Sequence, residues 1–437
     1  MSKEERYLQN KSPEIIVEKS LGVASKILVI FPALAGRNYQ LYFCGQFISL
    51  IGTWLQIVAQ SWLVLVLTNS AFLIGLVAAI AALPTLLFSL FGGALVDRLS
   101  KRKILLFTQS ASMILAFILG FLTVFKLINV SEIIFLAFLS GTVMAIDAPA
   151  RQAFVIKMVG KKDLASAIAL NSGIFNSARI IGPSLAGFLI ASVGTGGAFI
   201  VNGISYIAVL IALFFIRVRE VPAKDQQHPI EAIRRGVLYA YKHPIIRNLL
   251  LFTGIVSVFG WSYGVILPYV VQNTFHIGAA GLGYFYAASG LGALVSTFLV
   301  SAYSKKINNL VFILGGNSIF ALSMVVFTIT DNFVFALPFL FLAGLGLLSQ
   351  FSTINTTIQH LVEDKYRGRV MSLYTIMFFG MAPLGNFQIG FFSEHFGPAF
   401  AIRLGAAITF FFGVFILLYR GRIKKAFVIY QDKNHQW

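Results

Sequence analysis

The chain has 437 residues, 58% of them hydrophobic and only 11% charged, and carries a formal charge of +18 from 34 Lys and Arg against 16 Asp and Glu. So much apolar surface exceeds what one water-soluble core can cover, which excludes a soluble enzyme and a disordered chain, and the single cysteine, Cys44, excludes an internal disulfide framework. What remains is a polytopic helical membrane protein with about a dozen spans of ~20 residues each.

Apolar runs bounded by charge or turn residues predict twelve spans, near 41–67, 71–96, 104–125, 133–150, 168–193, 198–216, 248–272, 280–303, 307–329, 333–358, 370–392 and 398–419. They are long and continuous, unlike the short alternating strands of a membrane barrel. With the N-terminal segment, the even-to-odd loops and the tail on one face, 31 of the 34 Lys and Arg fall on that face. The opposite loops hold only Lys126, while Arg179 and Arg403 fall within spans. The positive-inside rule then predicts both termini on the cytoplasmic side of a cell inner membrane. The same spread over seven separate segments excludes a nucleic-acid-binding stripe.

Residues 1–40 carry charges from Lys3 to Lys19 and a short apolar stretch around Ile27 to Leu34, interrupted upstream by Lys26. No small-residue cleavage site follows, so this reads as a cytoplasmic segment with room for an interfacial helix rather than a signal peptide. The first span carries Gln46, Trp54, Gln56 and Gln60, with Gln56 and Gln60 one turn apart. Between the second and third spans stands Gly93-Ala94-Leu95-Val96-Asp97-Arg98-Leu99-Ser100-Lys101-Arg102-Lys103. A small Gly93 lets its span approach a neighbour, and Asp97 can face the positive end of a helix.

That string resembles the signature loop of the major facilitator superfamily, G-x-x-x-D-R-x-G-R-[KR], with Ser100 where the family prefers Gly. The resemblance implies that Asp97 meets span 11 in a contact holding the outward-open state. It narrows with Asp147-Ala148-Pro149-Ala150-Arg151-Gln152-Ala153-Phe154, with the run from Asp163 to Ser172, and with Ala178-Arg179-Ile180-Ile181-Gly182-Pro183-Ser184-Leu185-Ala186-Gly187. Together with Arg367-Gly368-Arg369-Val370-Met371-Ser372-Leu373-Tyr374 and Pro383-Leu384-Gly385, these strings are similar to the branch containing enterobactin-type siderophore exporters and macrolide-efflux proteins.

Asp147 is the one carboxylate well placed within a span, and Arg151 follows four residues later, within reach of an ion pair. Asp97, Arg98, Asp147 and Arg151 are expected to form a charge network that changes between conformations, with Lys101, Arg102, Arg367 and Arg369 in the same switch. The alternative is that these charges anchor helix ends. Asp147 is also the candidate for proton coupling. In the fifth span a mid-helix Arg179 costs ~2.5–3.5 kcal/mol on insertion scales, so it should face the bundle interior, near Asn171 and Asn176. An anionic or catecholate-bearing substrate would suit it; a structural arginine bonded to backbone carbonyls is the bland alternative. Gly182-Pro183-x-x-Ala186-Gly187 resembles the drug:proton antiporter motif G-P-x-x-G-G, with Ala186 in place of one Gly. It is expected to bend the helix and pack it tightly.

Residues 217–247 form the only long polar connection and separate two units, 41–216 and 248–420, ahead of a cytoplasmic tail at 421–437. Ile230, Ile233, Val237, Leu238 and Tyr241 have helical spacing there, with Arg234 and Arg235 between, which predicts an amphipathic interfacial helix tying the halves together. The halves repeat at an offset of 203: Gly141 matches Gly344, Val159 Val362, Leu170 Leu373, Phe175 Phe378, Gly182 Gly385, Gly187 Gly390, Phe188 Phe391 and Gly194 Gly397. Span 7 carries Trp261, Tyr263, Tyr269 and Gln272 around Pro268, and span 10 carries Gln350 and Asn355. The resemblance implies that spans 1, 4, 7 and 10 line a cavity, making these residues candidates for substrate contact or, equally, for interhelical bonding.

No phosphate-cradling loop and no His/Cys metal spacing is present, so no cofactor and no metal is expected. The fold expected is all-α, with twelve spans in two pseudo-symmetric six-helix bundles. The expected function is a secondary transporter, not an enzyme, that exports a small amphipathic molecule such as a siderophore or drug, with H+ as the coupling ion. A lysophospholipid carrier and a non-transporting receptor of the same fold are the alternatives, and a monomer is one option for its assembly.

Overall fold

The computed structural model describes residues 31–160, 162–218, 229–304 and 306–418, and, within these, not the side chains of 89–94, 97, 98 and 229–233. Residues 1–30 of the N-terminal segment, the tail, and the side chains of Gly93, Asp97 and Arg98 therefore lie outside the described residues.

A short 3-10 turn, Pro32–Ala35, leads into α1 (Arg37–Thr68), α2 (Ala71–Arg98), α3 (Lys101–Val124) and α4 (Val130–Val159). The next helix runs from Leu164 to Phe215. At 1.5 Å per residue its 52 residues would extend about 78 Å, far beyond a bilayer. Gly194, at φ 74°, breaks it into α5 (164–193) and α6 (195–215). After α7 (Pro229–Lys242) come α8 (Pro244–Asn273), α9 (Gly278–Tyr303), α10 (Asn309–Phe327), α11 (Phe333–Leu361), α12 (Asp364–Phe396) and α13 (Pro398–Leu418). Spans 1–6 are α1–α6 and spans 7–12 are α8–α13. In lipid each backbone N–H must bond within its own helix, which is why the apolar runs are helices throughout.

Turn chemistry sets the boundaries. Asn69 ends α1 in the left-handed region, and the Ser70 side chain caps α2 by accepting from Leu73 N at 3.2 Å. Asn129 and Glu132 form a reciprocal capping box at the start of α4, and Asn332 accepts from Val334 N and Phe335 N at the start of α11. Gly194 and Gly397, partners at the repeat offset, both have positive φ, 74° and 84°, where a side chain would be strained. They separate the last two spans of each half.

Two spans run longer than hydropathy predicts. α4 continues through Pro149 to Val159, and α12 begins at Asp364, because polar turns project past the apolar zone without breaking the helix. No break occurs at Pro183; the break comes at Gly194. A further departure is local: Val256–Trp261 in α8 and Ile376–Gly380 in α12 are π-helical. The two π segments support each other. Ser257 Oγ donates to Phe378 O at 2.6 Å, and Gln388 Nε2 donates to Val258 O at 3.0 Å, so carbonyls loosened from regular pairing find partners.

The bundles meet along two seams, α2 against α12 and α5 against α9. Each closes on a pair of glycines. A Cβ on Gly75 would stand 2.7 Å from Gly390 Cα, and one on Gly187 would stand 2.5 Å from Gly283 Cα, so backbone rests on backbone. α7 packs on α12 and α8, with the Tyr239 ring stacked between those of Tyr366 (4.4 Å) and His243 (4.1 Å). It is thus seated on the second bundle.

Candidate functional site

The site is built where α5 of the first bundle faces the π segment of α8. Arg179 is half-buried, and its guanidinium carbon lies 4.6 Å above the ring of Trp261. Among the described residues no carboxylate and no hydrogen-bond acceptor pairs with it, although the Tyr263 and Tyr374 hydroxyls lie within electrostatic reach. A cation over an indole gains about 0.5–2 kcal/mol, less than the ~2.5–3.5 kcal/mol cost of an arginine at mid-span. The ring alone does not offset that cost; water or an anionic group has to supply the rest.

Further aromatic rings continue from the indole partner of Arg179. Trp261 meets Phe351 and Phe378 edge-on with centroids 5.7 Å away in each case. Phe378 touches Phe379 at 4.5 Å, Phe379 meets Phe175 of the first bundle at 6.1 Å, and Phe175 meets Trp54 at 5.8 Å. A chain of rings therefore runs across the interface from α8 to α1. Trp54 and Trp261 stand out in the sequence, whereas Phe175 and Phe378 stand out only as repeat partners and Phe379 not at all. The π segment that presents Phe378 and Phe379 leaves no mark in hydropathy.

The other expected cavity residues divide. Asn176 and Asn355 are half-buried on α5 and α11; Asn176 Nδ2 donates to Ser172 O of its own helix at 2.8 Å, and Asn355 accepts from Gln359. Gln60 is half-buried too. Gln56 is engaged elsewhere: its Oε1 accepts from Asn202 Nδ2 of α6 at 2.6 Å, so it bonds α1 to α6. Tyr263 is buried, with its hydroxyl 3.0 Å from Ser289 Oγ of α9. Gln350 is fully buried in α11, and both its amide atoms lack a partner among the described residues.

The helix 5 motif joins α5 to two neighbours. A Cβ on Gly182 would stand 2.6 Å from Trp54 Cβ of α1, Pro183 is buried, and Gly187 makes the seam with α9.

A second polar centre lies within the first bundle. Asp147 is buried; its Oδ1 accepts from Thr108 Oγ1 and Gln109 Nε2 of α3, each at 2.7 Å, and its Oδ2 pairs with Arg151 one turn on. Ser49 of α1 donates to Gln109 Oε1 at 3.5 Å, extending the chain of polar groups to a third helix. Thr108 and Gln109 were legible only as polar residues in an apolar span. The other cations expected in the same switch make contacts of their own among the described residues. Arg102 donates to Leu213 O and Phe214 O at 2.8 and 2.7 Å, satisfying carbonyls at the end of α6. Lys101 is buried, with Nζ donating to Leu99 O at 3.1 Å. In the second bundle Arg367 pairs with Asp364 at 2.6 Å and donates to Gln359 O, while Arg369 lies 5.7 Å from the Tyr366 ring and packs against Gly236 of α7. Arg367 and Arg369 thus act on the α11–α12 junction and α7.

Hydrogen-bonded contacts across the interface, among the described residues, are found at the face opposite the basic loops. Glu394 of α12 accepts from Ser70 Oγ and Phe72 N at 3.1 and 3.0 Å, placing a carboxylate at the N-terminus of α2. Asn273 Nδ2 donates to Asn69 Oδ1 at 3.1 Å. Sequence reading assigned Glu394 no role.

Known proteins place this geometry. The sequence profile described as transmembrane secretion effector, of the major facilitator group, matches residues 31–435. The staphyloferrin A transporter of Staphylococcus aureus is 28% identical over 364 residues, covering 82% of this chain and 89% of that protein. The enterobactin exporter EntS of Citrobacter koseri is 22% identical over 389 residues, covering 89% and 92%. Among solved structures, a bacterial homologue of the human lysosomal transporter Spinster, inward-facing and unoccupied, matches with TM-score 0.67 at 14% identity over 88% of this chain and 97% of that one. The nucleoside transporter NupG matches with TM-score 0.65 at 12% identity over 87% and 99%. Two six-helix bundles, paired glycine seams and a profile match across nearly the whole chain lead to one assignment: the protein belongs to the transmembrane secretion effector family of major facilitator transporters.

Proposed function

We propose that this transporter exports a siderophore-type amphipathic molecule across the cell inner membrane, with bundles 41–216 and 248–420 rocking about a central site and both termini cytoplasmic. The observation that carries the reading is Arg179 of one bundle set over Trp261 of the other, inside a chain of rings that crosses the interface. A charge held at the boundary of two moving bodies reports to both. The names of the related staphyloferrin A transporter and enterobactin exporter support a siderophore as cargo. The hydrogen-bonded contacts at the face opposite the basic loops support a state open toward the cytoplasm.

Proton antiport drives the cycle in this reading, with Asp147 as the carrier and its Arg151 partner released when the carboxylate is protonated. The switch would combine this pair with Gly93, Asp97 and Arg98 of the signature loop. The test uses inverted vesicles containing the purified protein, an imposed pH gradient and siderophore uptake as the readout. Uptake stopped by an uncoupler and lost in Asp147→Asn supports the reading. Uptake that ignores the gradient and is unchanged in Asp147→Asn overturns the coupling assignment, and movement of lysolipids but not siderophores overturns the cargo.

A further inference from the structure

Resting on that transport reading, we propose that Arg179 and Trp261 form a subsite for one carboxylate on an apolar or aromatic body, whose arrival displaces the indole from the guanidinium and releases a contact between the bundles. Arg179 offers five N–H donors in a planar fork, and no acceptor among the described residues takes them. The carboxylate of Asp147 is already paired with Arg151. The groups around Arg179 are Trp261, Tyr263 and Tyr374, so the site supplies a single positive charge and matches a single negative one.

A guanidinium binds a carboxylate through two parallel charge-assisted hydrogen bonds, a stronger and more directional contact than one over an aromatic face. In this proposal the guanidinium turns its N–H edge toward the entering carboxylate and leaves the indole face. The rings of Phe351, Phe378 and Phe379 provide flat, edge-to-face walls for the rest of the molecule. Because Arg179 stands on α5 and Trp261 on α8, exchange of partners removes an attraction between bundles at the moment cargo is held. Loading and loosening become one event, and an unloaded carrier keeps the contact. A differential interaction of this kind is what a ligand needs in order to shift a conformational equilibrium.

The experiment uses the full chain in lipid nanodiscs, with benzoate as the carboxylate probe, benzamide as its neutral isostere and phenyl phosphate as a dianion. Benzoate is expected to change tryptophan emission, and the change disappears in Trp261→Phe. By calorimetry benzoate binds about tenfold tighter than benzamide or phenyl phosphate. Arg179→Gln abolishes that preference and Arg179→Lys retains part of it. Trp261→Phe, which removes the stronger competing ring face, binds benzoate about threefold tighter. Equal binding of benzoate and benzamide overturns the proposal, as does weaker benzoate binding in Trp261→Phe. Tighter binding of phenyl phosphate overturns the single-charge assignment. Siderophore uptake in vesicles is scored separately: uptake without a benzoate preference rejects the subsite alone, and a benzoate preference without uptake rejects the transport reading alone.

Discussion

The two bundles share a plan yet divide the chemistry between them. At the repeat offset of 203, Asp147 of α4 corresponds to Gln350 of α11, and Arg151 corresponds to Ile354. The first bundle places a bonded ion pair at that level, and the second places an amide with no partner among the described residues. Conversely, Phe175 of the unbroken α5 corresponds to Phe378, which lies in a π segment of α12. At these equivalent positions the first bundle carries a buried ion pair, and the second carries an amide and a loosened aromatic segment.

The largest effect should come from breaking the charge side of this contrast. Arg151→Ala leaves a buried carboxylate without its counter-ion, expected to cost about 3–5 kcal/mol and to appear as a large fall in thermal stability in detergent. Asp147→Asn combined with Arg151→Gln should recover most of it; a double variant as unstable as Arg151→Ala would show that the pair is not the cause. Next, Gly187→Leu forces a side chain into the α5–α9 seam. Overpacking of about 1–3 kcal/mol should shift the conformational ratio about five- to 150-fold away from closure at that face, read by thiol labelling on a background lacking Cys44. Unchanged labelling would mean the seam opens elsewhere.

Smaller effects sharpen the comparison. Gln350→Leu removes an unpaired buried amide and should be neutral or stabilising by about 1 kcal/mol, whereas Asp147→Leu destabilises. A strongly destabilising Gln350→Leu would reveal a bound water or ligand on that amide. Ser257→Ala deletes the hydroxyl that serves Phe378 O in the π segment, an expected loss of about 0.5–1.5 kcal/mol visible as a modest drop in melting temperature.

The spans were legible because hydropathy and cation placement both follow from the solvent around each segment. The Asp147–Arg151 pair was legible because residues four apart on a helix meet whatever the fold. What could not be read depends on neighbours distant in sequence. Gln56 finds Asn202, Arg102 finds the last carbonyls of α6, and Glu394 finds the start of α2, each more than a hundred residues away. The π segments escaped notice for the same reason, since Ser257 and Gln388 stabilise them from other parts of the chain. Gln350 looked like a cavity amide because polarity in a span says nothing about which side the helix turns inward.

The glycine seams carry one more consequence. At Gly75–Gly390 and Gly187–Gly283 backbone meets backbone, so these two contacts can part and return without a rotamer change, and the work of opening falls on the ring pairs beside them, Phe72–Phe387 and Phe188–Tyr284. Like smooth bearing faces, the glycine contacts add little friction of their own to a repeated stroke.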